Sequence, residues 1–298
     1  MADGGEAREA YAAWAEAQDQ LIPYARPAWL DIVAPEKWRA QVTLDGKGGV
    51  QSAWPYVPKR TMGLRWASLP TATAYLGPSF STSYPGPAPP LPPDLGYAVF
   101  TVHDPRAAWL YGRRCRAMAT QVIELTAARE FDADLRRLLR RSRESLRVRR
   151  AESDADFSAF AKALRANSQA GTPEWAVHFR RAQAVGLARV FLVEDGDGRA
   201  HGFAALPYDG QAAYLSCLLR SVNPHPSAAV SLLDHAIEEF AAIGASELDL
   251  QAGYLPGVRN FFARFGPQPK WYGLVRLPRN RLYGALDRLR AVTSTRRL

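Results

Sequence analysis

The chain has 298 residues, of which 47% are hydrophobic and 22% charged. That is enough apolar material for one large core or two smaller ones, and it excludes wholesale disorder and collagen-like structure. Lysine and arginine total 38 against 29 aspartates and glutamates, a formal charge of +9, which favours phosphates, nucleic acid or acidic lipid as partners without choosing among them. No stretch approaches the roughly 18 consecutive apolar residues of a membrane-spanning helix, and the opening MADGGEAREA lacks the basic-then-apolar layout of a secretory signal. The expected location is the cytoplasm, with contact to a membrane surface left open. Cys115 and Cys217 are far apart and read as ordinary thiols, and the five histidines form no metal-ligand spacing.

An Ala-rich amphipathic stretch, Ala7 to Gln20, predicts the first helix. Val42 to Leu44 and Val50 to Tyr56 flank Asp45, Gly46, Lys47, Gly48 and Gly49, which predicts a hairpin. Gly77 to Pro93 contains PGPAPPLPP, cannot donate the backbone hydrogen bonds of a helix or central strand, and predicts a long surface loop. Tyr97 to His103 and Gln121 to Thr126 predict strands. Asp132 opens a helix with Leu135, Leu139 and Leu146 on one face. The same segment carries Arg136, Arg137, Arg140, Arg141, Arg143, Arg147, Arg149 and Arg150, and its early acids and later arginines suit the helix dipole. It divides the chain into residues 1–131, a connecting helix over 132–153, and residues 154–298.

Beyond it, Asp156 to Ser168 and Pro173 to Val185 predict helices and Ala188 to Glu194 a strand. The DGDG turn at 195–198 and the Asp209-Gly210 turn frame Ala200 to Tyr208 and Ala212 to Leu219, giving three successive antiparallel strands. Ser227 caps a helix with Val230, Leu233, Ile237 and Phe240 on its apolar face, ending at Gly244. A strand (Glu247 to Leu250), a helix (Val258 to Phe265), a strand (Trp271 to Leu277) and a terminal helix (Asn280 to Val292) complete the order. The fold class is α/β, with mixed, mainly antiparallel sheets covered by helices. Phe261, Phe262 and Phe265, at i, i+1, i+4 spacing, and Trp29, Trp38, Trp54 and Trp66 read as packing residues.

Four stretches, in order, resemble the FemAB-like branch of the GNAT acyltransferase superfamily. PAWLDIV (27–33) with EKWRAQV, and AWPYVPKR (53–60) with LPTATAYLGPSF (69–80), are similar to its N-terminal domain. LRRLLRRSRESLRVRRA resembles its basic segment before the second domain. RAHGFAALPYDGQAAYL (199–215) and ASELDLQAGYLPGVRNFFARFGPQP (245–269) resemble its strand pair and its aspartate, glycine and FFxxFG elements. The chain departs from the branch in lacking a long coiled-coil insertion and a Gln/Arg-rich pyrophosphate loop before Ser227. The resemblance implies two GNAT-like domains side by side with a cleft between them, residues 1–131 on the acceptor side and 154–298 on the donor side. It further implies transfer of an activated acyl or aminoacyl group to an amine of a small or cell-envelope acceptor, by direct attack and without a metal. Acyl-CoA, aminoacyl-tRNA and an acylated carrier protein are the candidate donors.

Acyl transfer to an amine needs a neutral nucleophile, a route for its proton, and hydrogen-bond donors for the oxyanion, which backbone amides can supply. Asp249 lies between Leu248 and Leu250, so strand alternation turns it to the opposite face, where a carboxylate can orient an amine or take its proton; the other reading is structural, a pairing with an arginine or a cap on a neighbouring turn. Gln251 and Tyr254 follow on the loop leaving the strand. On the donor side, which the resemblance places at the helix opening after Ser227, the amides of Ala228, Ala229 and Val230 can hold phosphate, flanked by Arg220 and His225. Those two read equally well as a solvated strand end and an exposed loop residue. Lys59, Arg60 and Tyr75 are acceptor-binding candidates suited to a phosphorylated or carboxylated molecule, or else a solvated strand end and a packing tyrosine. Arg141 and Arg143 can contact an anionic substrate such as tRNA, although a charge run on a helix is most often a solvated face. A non-catalytic module that binds an anionic polymer through its arginine face stays open as a second class.

Overall fold

The computed structural model describes residues 4–19, 21–45, 47–61, 63–80, 86–103, 110–127, 131–167, 171–251 and 256–285. Packing divides the chain into two units. The first comprises Met1–Asp19, Ala25–Met118 and Trp271–Leu298, and the second Gln20–Tyr24 and Ala119–Lys270. The arginine-rich segment therefore falls inside the second unit, and the last strand belongs mostly to the first.

In the first unit, helix α1 (Gly4–Glu16) precedes α2 (Pro27–Val33), where proline at the first turn loses no useful N–H and Trp29, Leu30, Ile32 and Val33 are buried. The predicted hairpin forms from β1 (Arg39–Leu44) and β2 (Val50–Tyr56), antiparallel with Arg39 opposite Tyr56. Asp45 Oδ1 accepts the amides of Lys47 at 2.8 Å and Gly49 at 2.7 Å, fixing the turn. A second hairpin joins β3 (Pro58–Thr61) to β4 (Leu64–Ala67), and β5 (Ser79–Phe80) borders β2. Strand β6 (Tyr97–Val102) runs parallel to β4. Trp54, Tyr56, Phe100 and Tyr111 fill the core between them.

Strand β7 (Cys115–Glu124) leads into the second unit. Asp132 caps α3 (Ala133–Ser145) by accepting the Leu135 amide at 2.6 Å, and Leu135 and Leu139 enter the core. The helix ends earlier than the leucine spacing predicts: Leu146 is its C-cap, and Arg147–Arg150 form β8. Leu135, Leu139 and Leu146 are buried together in the core of this unit. Then come α4 (Asp154–Ala166), α5 (Glu174–Ala184), β9 (Ala188–Glu194) and β10 (Ala200–Pro207). The expected strand over Ala212 to Leu219 is two, β11 (Ala212–Tyr214) and β12 (Cys217–Arg220). Helix α6 (Ala228–Ala242), β13 (Glu247–Asp249) and α7 (Pro256–Ala263) follow, and Phe262 and Phe265 are core residues as their spacing predicts.

The second unit holds an antiparallel sheet ordered β12-β10-β9-β8 and a separate group β11-β13-β7. Helix α6 packs Leu232, Leu233, Ile237 and Phe240 into the core with Phe191 and Leu206 of the sheet. Strand β14 (Gln268–Pro278) then returns to the first unit and pairs antiparallel with β6, Gly273 opposite Val102. The terminal helix expected over Asn280 to Val292 lies outside the described residues beyond 285.

Gly202 marks a close approach between β10 and β12. A Cβ built there would lie 2.5 Å from the Leu219 carbonyl oxygen and 3.2 Å from a Leu232 methyl. Gly202→Ala is expected to cost about 1–3 kcal/mol by forcing β12 off β10. A circular-dichroism melt checks this, and an unchanged Tm would mean that β12 yields freely.

Candidate functional site

The break between β11 and β12 creates the site. Ala212, Ala213 and Tyr214 pair parallel with Glu247, Leu248 and Asp249, and the Leu215 amide donates to the Asp249 carbonyl at 2.7 Å. One residue later the Ser216 amide turns to the Ala205 carbonyl, and β12 pairs with β10. Leu250, in contrast, donates to the Gln121 carbonyl. Two parallel neighbours thus part company after Tyr214 and Asp249, each taking its next hydrogen bond from the strand on its far side. Beyond Leu215 a gap therefore opens in the ladder between the two strands.

Asp249 sits at the head of this gap, 4% exposed. Its Oδ1 accepts from Thr120 Oγ1 at 2.5 Å and from the Gln251 amide at 2.8 Å. Leu248 and Leu250 point into the core, so the alternation read from the sequence is correct. Gln251 has left-handed φ of 50°, which swings its side chain so that Nε2 donates to Tyr24 Oη at 2.7 Å. Tyr24 Oη in turn lies 2.7 Å from Ser216 Oγ, and the Tyr24 ring meets Tyr214 edge-on at 5.6 Å. Burial holds the Tyr24 and Tyr214 hydroxyls well above the ordinary phenol value, so at neutral pH both are proton-bearing groups and not phenolate bases. Burial likewise pushes the Cys217 thiol up to about 12, leaving it protonated and a poor nucleophile.

The loop from Ser221 to Ser227 is held from behind. Asp195 Oδ1 accepts the amides of Asp197 and Arg199, each at 3.0 Å, and its Oδ2 lies 2.8 Å from His201 Nε2. These contacts, the one to His201 first, keep the Asp195 carboxyl below its ordinary value. His201 Nδ1 accepts the His225 amide at 3.0 Å, which requires the proton on Nε2. His225 Nδ1 accepts the Ser227 amide at 3.2 Å, and its carbonyl accepts the Ala228 amide at 3.1 Å. His225 is therefore a partner within the loop.

This corrects the expectation for the start of α6. Ser227 is the N-cap residue but makes no side-chain cap, and the Ala228 amide is engaged by the His225 carbonyl. Among the described residues, the amides of Ala229 and Val230 have no partner. Arg220 is exposed at the end of β12, where its carbonyl accepts Asn167 Nδ2 at 3.0 Å.

The remaining candidates are scattered. In the first unit, Lys59 Nζ donates to Ser68 Oγ at 2.8 Å and lies 5.2 Å from the Trp66 ring centroid, and Arg60 is exposed on the same strand. Tyr75 is buried, its ring edge-on to His103 at 4.0 Å and to Tyr272 at 5.3 Å, a packing position. Arg143 is occupied by Asp234 at 2.6 Å and Glu238 at 2.5 Å on α6, which fastens α3 to α6 and removes it from the pool of substrate contacts. Arg141 is exposed. Tyr254 lies outside the described residues. A groove of about 700 Å³ between α3 and α6 is walled by Arg136, Arg140 and Arg143 but equally by Glu144, Asp234 and Glu238. Its charges balance.

Sequence reasoning missed Thr120, Tyr24, Ser216, Asp195 and His201. Tyr24 and Thr120 converge on Asp249 and Gln251 only through tertiary structure and leave no local pattern. Asp195 did carry a signal, since an aspartate opening a DGDG turn accepts amides two and four residues on.

No protein-family model matches the chain, and no curated protein sequence matches it. Solved structures do. FemX aligns with a TM-score of 0.63 at 10% identity, over 93% of this chain and 98% of its own. L-PGS from Bacillus licheniformis aligns with a TM-score of 0.59 at 12% identity, over 98% and 97%. A DUF2156 domain from Agrobacterium fabrum, assigned as the C-terminal part of a lysylphosphatidylglycerol synthetase, gives 0.59 at 17% identity, over 97% of each chain. The chain shares the fold of these structures over essentially its whole length. No helix among the described residues is long and apolar enough to cross a membrane.

Proposed function

We propose that the chain is an N-acyltransferase that moves an activated acyl or aminoacyl group from acyl-CoA or aminoacyl-tRNA to an amine of a small or cell-envelope acceptor. The single observation that carries this is the parting of β11–β12 from β13 with a buried carboxylate, Asp249, at its head. The likeness to FemX and to the synthetase structures supports it at the level of fold.

In this mechanism the donor's acyl arm lies in the gap, and its carbonyl carbon is attacked directly by the acceptor amine. The new C–N bond forms a tetrahedral intermediate whose oxyanion is held by backbone amides, and the C–S or C–O bond to the carrier then breaks. Asp249 orients the amine, takes its proton and passes it to the departing thiolate or alkoxide, while the Tyr24 and Ser216 hydroxyls keep their own protons and hydrogen-bond the leaving atom. The amides of Ala229 and Val230 receive the donor's phosphate, with Arg220 as a further contact. Lys59, Arg60 and Arg141 remain contacts for an anionic acceptor or for the carrier.

Thermal-shift titration with acetyl-CoA, longer acyl-CoAs and a charged-tRNA mixture, at low and moderate salt, tests the reading, because a ligand that binds only the folded state raises its stability by mass action. One donor is expected to stabilise the protein at both salt concentrations. Stabilisation by every polyanion alike, vanishing with salt, would instead favour the second reading, a binding module. One observation supports that alternative: Arg136, Arg140, Arg141 and Arg147 are exposed and have no ion-pair partner among the described residues.

A further inference from the structure

A second cavity, about 320 Å³, lies where the Ser221–Asn223 loop meets α4. Its polar lining is Lys162 from α4, Arg199 from the turn before β10, and Ser221 and Asn223 from the loop, over a floor that includes the Phe203 ring. No carboxylate is among its described lining residues. This distinguishes it from the larger groove on the arginine-rich helix, where three arginines meet three acids. The arginine run dominates the sequence, yet the uncompensated positive concavity is elsewhere.

The cations here are placed without being neutralised. Arg199 Nη2 lies 3.5 Å from the Val222 carbonyl oxygen and 3.4 Å from that of Asn223, neutral groups that aim the guanidinium while leaving its charge. Lys162 is exposed on a helix whose opposite face is anchored by Phe160 and Leu164 in the core, so its ammonium stands at the rim on a rigid base. Asn223 holds φ of 55°, a left-handed conformation that short polar residues tolerate, and this bends the loop around the cavity mouth. The Asp195–His201–His225 chain locks the same loop from its other side. A concavity lined by a lysine, a guanidinium, a hydroxyl and an amide, with the nearby Asp195 carboxylate engaged by His201 and by backbone amides, matches the donors that a phosphate dianion requires.

We infer that this cavity is a phosphate-binding site whose anchors are Lys162 and Arg199. The phosphate belongs either to the acyl donor, which rests on the transferase reading above, or to a separate phosphate-bearing effector. The site itself does not depend on that choice.

Sodium pyrophosphate, titrated calorimetrically at low salt, is the probe. Losing one charge-assisted contact in Lys162→Ala is expected to weaken binding by roughly tenfold or more. Lys162→Arg should restore it, and the Arg136→Ala/Arg140→Ala double variant should bind as the wild type does. Lys162 is exposed, so its variants are expected to fold, which circular dichroism checks. Equal affinity of Lys162→Ala and wild type, or loss only in the Arg136/Arg140 variant, would overturn the site. Repeating the titration with acetyl-CoA and acetyl-3′-dephospho-CoA assigns the source. If Lys162→Ala weakens acetyl-CoA but not the dephospho form, the phosphate is the donor's; if it weakens pyrophosphate alone, the site serves a separate effector. Because pyrophosphate binding needs no turnover, the transferase reading can fail with this site intact, and the reverse.

Discussion

Asp249→Asn is expected to lower the rate of acyl transfer by about 10²- to 10⁴-fold, the range that a positioned acid-base group supplies, while the protein stays folded. The substitution is informative because asparagine keeps Oδ1 as an acceptor for both the Thr120 hydroxyl and the Gln251 amide, so shape and hydrogen bonding persist and only the charge goes. Single-turnover rates measured with a common donor and acceptor separate this from a loss of binding. If Asp249 acts on the amine proton, the chemical step slows and donor affinity is unchanged. An unaltered rate would remove Asp249 from the chemistry and leave it as a strut between β7 and the loop after β13.

The largest expected effect on stability lies at Asp156. Arg149 grips this carboxylate with two contacts, Nη1 to Oδ2 at 3.0 Å and Nη2 to Oδ1 at 2.8 Å, while its Nε reaches Glu194 at 3.0 Å. Asp156 also closes a capping box with Ser153 at the start of α4. Removing one partner of a largely buried pair together with a helix cap costs about 2–4 kcal/mol after allowance for the partly exposed arginine, so Asp156→Ala should lower the Tm by several degrees. The pH dependence follows from the same contacts. Arg149 first, and the backbone amides of Glu152 and Ser153 after it, hold the Asp156 carboxyl far below its ordinary value. A carboxyl depressed by folding stabilises fully above its unfolded value, about 3.9, and loses that contribution as pH falls toward the folded one. Wild type and Asp156→Asn should therefore differ most at neutral pH and converge in acid. Melts at pH 7 and pH 3 with the same separation would contradict this.

Much of the second unit was legible because its periodicities are strong. The apolar face of α6, the turn at Asp209-Gly210 and the inward Phe262 and Phe265 all follow from local pattern and emerge as read. The decisive feature was not legible. Ala212 to Leu219 alternates like one strand, and nothing in AAYLSCLL announces that Tyr214 pairs with one neighbour and Cys217 with another. That break is set by what lies alongside, β13 on one side and β10 on the other. For the same reason Asp249 could be proposed from alternation, whereas Tyr24, some 225 residues earlier, could not. The arginine run shows the opposite failure. Its density drew attention, but Arg143, Arg149 and Arg150 are spent on the nearby Asp156 and on Asp234, Glu238, Glu194 and Glu239, acids that are distant in sequence and adjacent in the fold.

Whether an acyl donor enters where the strands part is most directly measured with Ser216→Trp, which puts an indole at the residue where β11 gives way to β12. Acetyl-CoA and a charged-tRNA mixture are titrated against wild type and variant, with folding verified by circular dichroism and pyrophosphate binding at Lys162 as an internal control. A donor that stabilises the wild type should lose its effect on Ser216→Trp while pyrophosphate binds both proteins alike. Equal stabilisation of the two proteins would place the donor elsewhere, and no stabilisation of the wild type by any donor would contradict the transferase assignment itself.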